Sequence, residues 1–195
     1  MGKGDDTRAR VLAQGLDIAS EWGLESLTIG ALADRAGLSK SGLYAHFTSK
    51  EDMQCQVLDA AADAFAAEVM LPAIALPRGL PRVEEIQERW MHWVTDLLPG
   101  GCPLIAASLA YDDREGPVRD RAVHHIERMV GAVERAATIA VDERHFARDL
   151  DTAAYAFEVW AIVMAYHQYS RLLRRPDAAD LARRSFASLN ARAAG

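Results

Sequence analysis

The residues with the most chemical promise lie between 28 and 50, where Lys40, Ser41, Gly42, Tyr44, Ala45 and His46 bring small, polar and basic groups onto one surface. That set holds no carboxylate and little bulk. It suits a flat, anionic, hydrogen-bonding partner, and a helix that carries it can lie in the major groove of DNA. From Arg35 to Lys50 there are three basic residues and no acid, so this stretch is about +3 while the rest of a chain of net charge −6 carries about −9 (−6 − 3). A short basic face on an acidic chain is a local electrostatic footprint.

Two helices and a tight turn must position those groups. Ile29, Leu32, Ala33 and Ala36 recur at the spacing of one apolar helix face, with Thr28 as N-cap. Leu27 and Leu32 stand where a hydrophobic staple would set the angle of approach. Ala33 admits a second helix closely, and Gly37 suits the left-handed residue that ends the first. Ser39 is a good N-cap for the second helix, Leu38 with Leu43 repeats the staple, and Leu43 and Phe47 point inward. Charge alone would fit an ordinary solvated helical hairpin. The Ala33, Gly37, Leu43 spacing together with the caps points instead to a helix-turn-helix.

The string LTIGALADRAGLSKSGLYAHFTSKEDM, within the first quarter or so of the chain, resembles the DNA-binding signature of the tetracycline-repressor (TetR) family of bacterial regulators. The remainder is similar to that family only in length and helical character. The resemblance implies an all-helical homodimer that binds a double-stranded operator and leaves it when a small molecule enters the second domain. It also implies that Thr28, Lys40, Tyr44, His46 and Lys50 meet phosphates or the groove edge, that Ser41, Gly42 and Ala45 lie nearest the bases, and that Ser39 belongs to the same surface. Ser41 and Ala45 are too short for many direct base contacts.

Length and composition agree. A chain of 195 residues, 50% hydrophobic, can form one small and one medium core. The expected fold is all-α, with a three-helix helix-turn-helix domain at 1–52 and a helical ligand-binding and dimerisation domain at 53–195. The charged start MGKGDDTRAR has no apolar h-region, which argues against a secretory signal. No uncharged apolar run reaches the roughly 18 residues of a membrane span. Cys55 and Cys102 make no disulfide framework, and a reduced cytoplasm fits.

Nearly everything reads helical. A supporting helix over 7–22 turns Val11, Gly15, Ile18, Ala19 and Trp22 inward. Thr48 and Glu51 form a capping box that opens a helix over 49–71, broken by Pro72, which would connect the two modules. PAIALPRGLP reads as a turn region. Helical patterns follow at 82–98, 103–111, 117–140, 147–174 and 177–193. From Ala153 to Tyr166 the only carboxylate is Glu158, so that helix is apolar nearly all round. It needs cover on more than one side, either as a central core helix or as one shared with a two-fold interface that also uses Leu181, Ala182, Ser185 and Leu189.

Trp90, Trp93, Met129, Phe157, Trp160 and Met164, with Met91 and Tyr166, are candidates to line an apolar ligand cavity. His92, Tyr155, Glu158 or His167 could orient its contents. An aromatic stripe at helical spacing also serves as plain core.

Other constellations are weaker. His124 and His125 are adjacent and point about 100° apart on a helix, Asp112 and Asp113 sit in a loop, and no ligand spacing builds a metal site. Cys102, beside a helix start, is either a redox-sensitive thiol or a small buried hydrophobe. No Gly-x-Ser-x-Gly elbow or phosphate loop is present. The expectation is a regulator without catalytic residues, cofactor, metal or membrane anchor: a repressor, homodimeric on a palindromic operator, released by a small hydrophobic or aromatic effector. The alternatives are a small helical ligand-binding protein or enzyme whose N-terminal hairpin is only a docking surface, and a pure interaction module without a cavity.

Overall fold

The computed structural model describes residues 3–195, with side chains from Thr7 onward; the part of the N-terminal expectation that rests on Met1 and Gly2 lies outside them. All regular structure among the described residues is helical: α1 Lys3–Trp22, α2 Ile29–Ala36, α3 Lys40–Tyr44, α4 Lys50–Phe65, α5 Leu71–Ile74, α6 Leu80–Thr95, α7 Pro103–Ala110, α8 Pro117–Asp142, α9 Thr152–His167 and α10 Ala178–Ala194. Packing groups them into two compact units, one of residues up to 64 with 98–126, the other of 65–97 with 127–195. The hairpin therefore shares a core with α7, a grouping that no local signal marks.

In the first unit Val11, Leu27, Leu32, Leu43, Phe47, Met53, Val57 and Leu58 are essentially inaccessible to solvent. Gly15 is required by the approach of α1 to α4, since a Cβ there would stand 2.7 Å from Val57 Cγ2. Trp22, expected inward, is 69% exposed. It is the last residue of α1, and the 3-10 turn Leu24–Ser26 that follows buries Leu24 in its place. Ser20 is buried under the Pro99-Gly100-Gly101 turn, accepting from Gly100 N at 2.7 Å and donating to Gly101 O at 2.9 Å. The cap of α4 lies one residue away from the expected pair: Ser49 Oγ accepts from Asp52 N at 3.0 Å, and the Asp52 carboxylate reaches back to Thr48 N at 2.8 Å. Aspartate at N3 can close the loop as glutamate does, so Asp52 competes with Glu51 for that role.

In the second unit Pro72 does not stop the helical path. A π-helical turn, Ala66–Met70, leads into α5, with Pro72 in its first turn. Proline lacks the N–H that would satisfy the carbonyl four residues back, and here Arg89 Nη1 donates to Glu68 O at 3.1 Å in its stead. The helix expected from 147 begins at Thr152, because Asp151 caps it through Ala154 N at 2.9 Å while Ala147 N is held by Ala193 O at 2.8 Å. α9 packs on α10 and α6 and continues as a wide turn, Gln168–Leu172. Tyr155, Val159, Val163 and Tyr166 form its buried side, while Phe157, Ala161, Ala165 and Tyr169 are exposed.

Candidate functional site

The hairpin is built by local hydrogen bonds. Thr28 Oγ1 accepts from Ala31 N at 3.1 Å to start α2, and Gly37, at φ 65° in the left-handed region, ends it with Leu38 N on Ala33 O at 3.0 Å. Ser39 Oγ accepts from Gly42 N at 3.1 Å to start α3 and lies 3.1 Å from Ser41 Oγ. Leu43 and Phe47 anchor α3 from below. Lys40, Ser41, Gly42, Tyr44 and Ala45 are all exposed, with Tyr44 at 65%, and His46 is half-buried. The outer face thus carries one ammonium, a phenol, a hydroxyl and two positions with almost no side chain.

The basic residues at its margins are held in place. Arg35 pairs with Glu21, Nη2 to Oε1 at 2.9 Å, which holds the Glu21 carboxyl below its usual range. Lys50 Nζ donates to Glu25 O at 3.0 Å. Arg35 therefore braces α2 against α1, and the positive charge presented outward is smaller than the residue count suggests.

The second-unit candidates divide. Trp90 and Trp93 are buried on α6, and Trp160 lies 6.0 Å from Trp90 between ring centroids. Met129 is buried on α8, and Met164, one turn beyond Trp160, is half-buried. Phe157 is set apart, 69% exposed on the outer side of α9. A helix apolar on every side gives periodicity no means of choosing which residues face in. Phe65, which was not among the sequence candidates, completes the cluster edge-on to Trp90 and Trp93 at 5.0 and 5.8 Å.

Of the polar groups expected to orient a ligand, Tyr155, Glu158 and His92 are engaged elsewhere, while His167 is half-buried with its Nδ1 unpaired. Tyr155 OH accepts from Gln87 Nε2 at 2.9 Å and donates to Asn190 Oδ1 at 2.5 Å, while Asn190 Nδ2 returns a bond to Gln87 Oε1 at 3.0 Å. Burial raises the Tyr155 phenol far above its ordinary value. Only Tyr155 of the three stood among the sequence candidates, because Gln87 and Asn190 meet across 103 positions. Glu158 pairs with Arg192, and His92 Nδ1 lies 2.7 Å from Asp96 Oδ2.

His124 and His125 rings touch at 5.3 Å, but His125 Nε2 is engaged by Asp59 Oδ1 at 2.7 Å. Among the described residues no group of three His, Cys, Asp or Glu side chains could hold a metal ion. Burial raises the Cys55 thiol pKa. Cys102 is buried, 1% exposed, just before α7. No helix is long and apolar enough to cross a membrane among the described residues.

Residues 11–54 match the family described as bacterial regulatory proteins, tetR family, and residues 79–186 match tetracyclin repressor-like, C-terminal domain. No curated protein is similar in sequence. Similar solved structures include a TetR transcriptional regulator from Chloroflexus aurantiacus J-10-FL, with a TM-score of 0.85 at 21% identity over 98% of this chain and 96% of that one. A TetR-family regulator from Cytophaga hutchinsonii scores 0.84 at 20% identity over 98% and 96%. AibR, in complex with isovaleryl coenzyme A and operator DNA, scores 0.71 at 17% identity over 96% and 98%. With both matched segments in order along it, one falling on the capped hairpin, the chain belongs to the tetR family of bacterial regulatory proteins.

Proposed function

We propose that this regulator is a repressor that binds a palindromic operator as a homodimer in the cytoplasm and releases it when a small hydrophobic or aromatic molecule enters the second unit. The observation that carries the reading is the outer face of α3, exposed, capped and free of acids. Lys40, Tyr44, His46 and Lys50 meet phosphates, with Thr28 and Ser39 at the two helix starts beside the backbone; Ser41, Gly42 and Ala45 approach the base edges. AibR, bound to both a small molecule and operator DNA, supports pairing the two kinds of partner.

The exposed stripe of Phe157, Ala161, Ala165 and Tyr169 supports the dimer. A groove of about 570 Å³ between α9 and α10, lined by Ala161, Ile162, Ala165, Tyr169, Leu181 and Ser185, gives a second copy something to fill. One hairpin with few phosphate contacts binds in the non-specific range of roughly 10⁻⁴ to 10⁻⁶ M. Two held about 34 to 36 Å apart add their contacts, and the second binding becomes intramolecular. An effector that prefers another spacing weakens operator affinity by its differential binding energy.

Fluorescence anisotropy with the intergenic DNA beside the gene tests the reading. Retention well above that of random DNA and falling steeply with salt is expected. Equal, weak retention of both would reduce the hairpin to a docking surface for something other than an operator.

A further inference from the structure

Trp90 and Trp93 lie about one turn apart on α6, each 1% exposed, and the Nε1–H of each is buried without an acceptor. Buried tryptophans ordinarily find one, and buried polar groups are paired in the great majority of folded chains. Rings lie against these indoles, Phe65 edge-on to both and Trp160 beside Trp90. In the same unit the amide groups of Gln87 and Asn190 and the phenol of Tyr155 satisfy one another, and the one other buried side-chain atom there without a partner among the described residues, His167 Nδ1, stands alone rather than in a pair. Two orphan donors in one aromatic cluster therefore mark a place where an acceptor is wanted.

We propose that this cluster is the polar end of the effector site, and that the effector is a neutral, mostly apolar molecule whose ketone, ester or ether oxygen accepts the N–H of Trp90, Trp93 or both. The inference rests on reading the second unit as the effector domain, and it narrows the chemistry. Indole N–H only donates, so a ligand whose polar group only donates gains nothing from it. The four rings bring no cation, so a carboxylate would be buried without a counter-charge, whereas a neutral oxygen loses far less on leaving water. The apolar body of the ligand lies against the ring faces of the cluster.

The test uses two compounds of nearly one shape, 2-acetylnaphthalene and 2-ethylnaphthalene, on the full chain labelled with ¹⁵N-tryptophan. Trp90→Phe and Trp93→Phe keep a ring, remove the donor and assign the indole resonances. The ketone is expected to bind about tenfold more tightly, the size of one hydrogen bond to an otherwise unpaired buried donor. It should move the Nε1 proton of Trp90 or Trp93 downfield, and the ratio of ketone to hydrocarbon affinity should fall to about one in the corresponding variant, whatever that variant's affinity for the hydrocarbon. If both compounds bind equally and shift these resonances alike, the cluster is an effector site and the acceptor rule is overturned. If both leave Trp90, Trp93 and Trp160 untouched, the effector reading of the cluster fails, and the proposal with it. Should a variant not fold, the wild-type pair of titrations decides alone.

Discussion

α3 and α9 carry the two surfaces on which the proposed mechanism depends, and they are specified in opposite ways. α3 is five residues long, with too little apolar surface to fold alone, yet its orientation is fixed within 16 positions by Thr28, Gly37, Ser39 and Leu43. α9 is 16 residues of nearly continuous apolar surface, and only neighbours far along the chain decide that Val159 goes in and Ala161 stays out. Short-range caps make a reading head whose pose tolerates change elsewhere. A helix sorted by distant contacts can instead serve as core on one side and partner surface on the other.

Substitutions two residues apart break or sharpen that contrast most strongly. Val159 is fully buried, so Val159→Arg places an unpaired charge in the core and should cost more than about 4 kcal/mol, seen as loss of the cooperative thermal transition. Ala161→Arg should leave that transition nearly in place and yield a folded monomer by sedimentation, with operator affinity lowered by about 10³ toward the non-specific range. Two unfolded variants would make both sides of α9 core; two folded dimers would remove α9 from the interface.

Leu43→Ala probes the other half. With the side chain fully buried under a five-residue helix, the loss should be about 2 to 5 kcal/mol, and operator binding should fall with it. A variant that melts like wild type would show that the caps alone hold α3. A smaller effect is expected at Lys50: Lys50→Ala should weaken binding to operator and random DNA alike and reduce the salt slope by about one unit per subunit, read from affinities at several salt concentrations. An unchanged slope would leave Lys50 with only its bond to Glu25 O.

The smallest expected effect is on acid stability, and it lies in the first unit away from the hairpin. Burial works against ionisation of Asp59, but the hydrogen bonds from Arg121 and His125 outweigh it and hold its carboxyl below the ordinary range. A carboxyl depressed in the folded chain contributes stability that is full above about pH 4, its unfolded value, and drains as pH falls through the folded one. The gap in melting temperature between wild type and Asp59→Asn should therefore narrow between pH 5 and 3. A constant gap would mean that the pair gives no net charge stabilisation.

What could be read in the sequence follows the same division. The caps at Thr28 and Ser39, the turn at Gly37 and the inward Leu43 all depend on residues within a few positions of one another, and each is found where the pattern puts it. The signal failed where a partner is remote or a neighbour competes. Asp52 took the role expected of Glu51, Trp22 was displaced by Leu24, and Arg89 rescued a carbonyl that Pro72 should have abandoned. In the second unit Trp90, Trp93 and Trp160 were recognisable as aromatic mass, but Phe65 and the Gln87, Asn190 pair were not. Their meeting depends on packing over tens of positions, and Phe157 fell on the outer side of a helix with no polar face to mark it.

The Pro99-Gly100-Gly101 turn has a consequence for anyone who would make a biosensor of this protein. Its letters advertise slack, the place where an engineer would splice a fluorescent reporter. Yet a Cβ at Gly100 would stand 1.6 Å from the backbone oxygen of Ser20, Gly101 is buried, and Ser20 clasps both glycines. Backbone lies on backbone there, and an inserted sequence would pry α7 from α1. The exposed Asp112-Asp113 pair, in the next loop, is the position that leaves room for cargo.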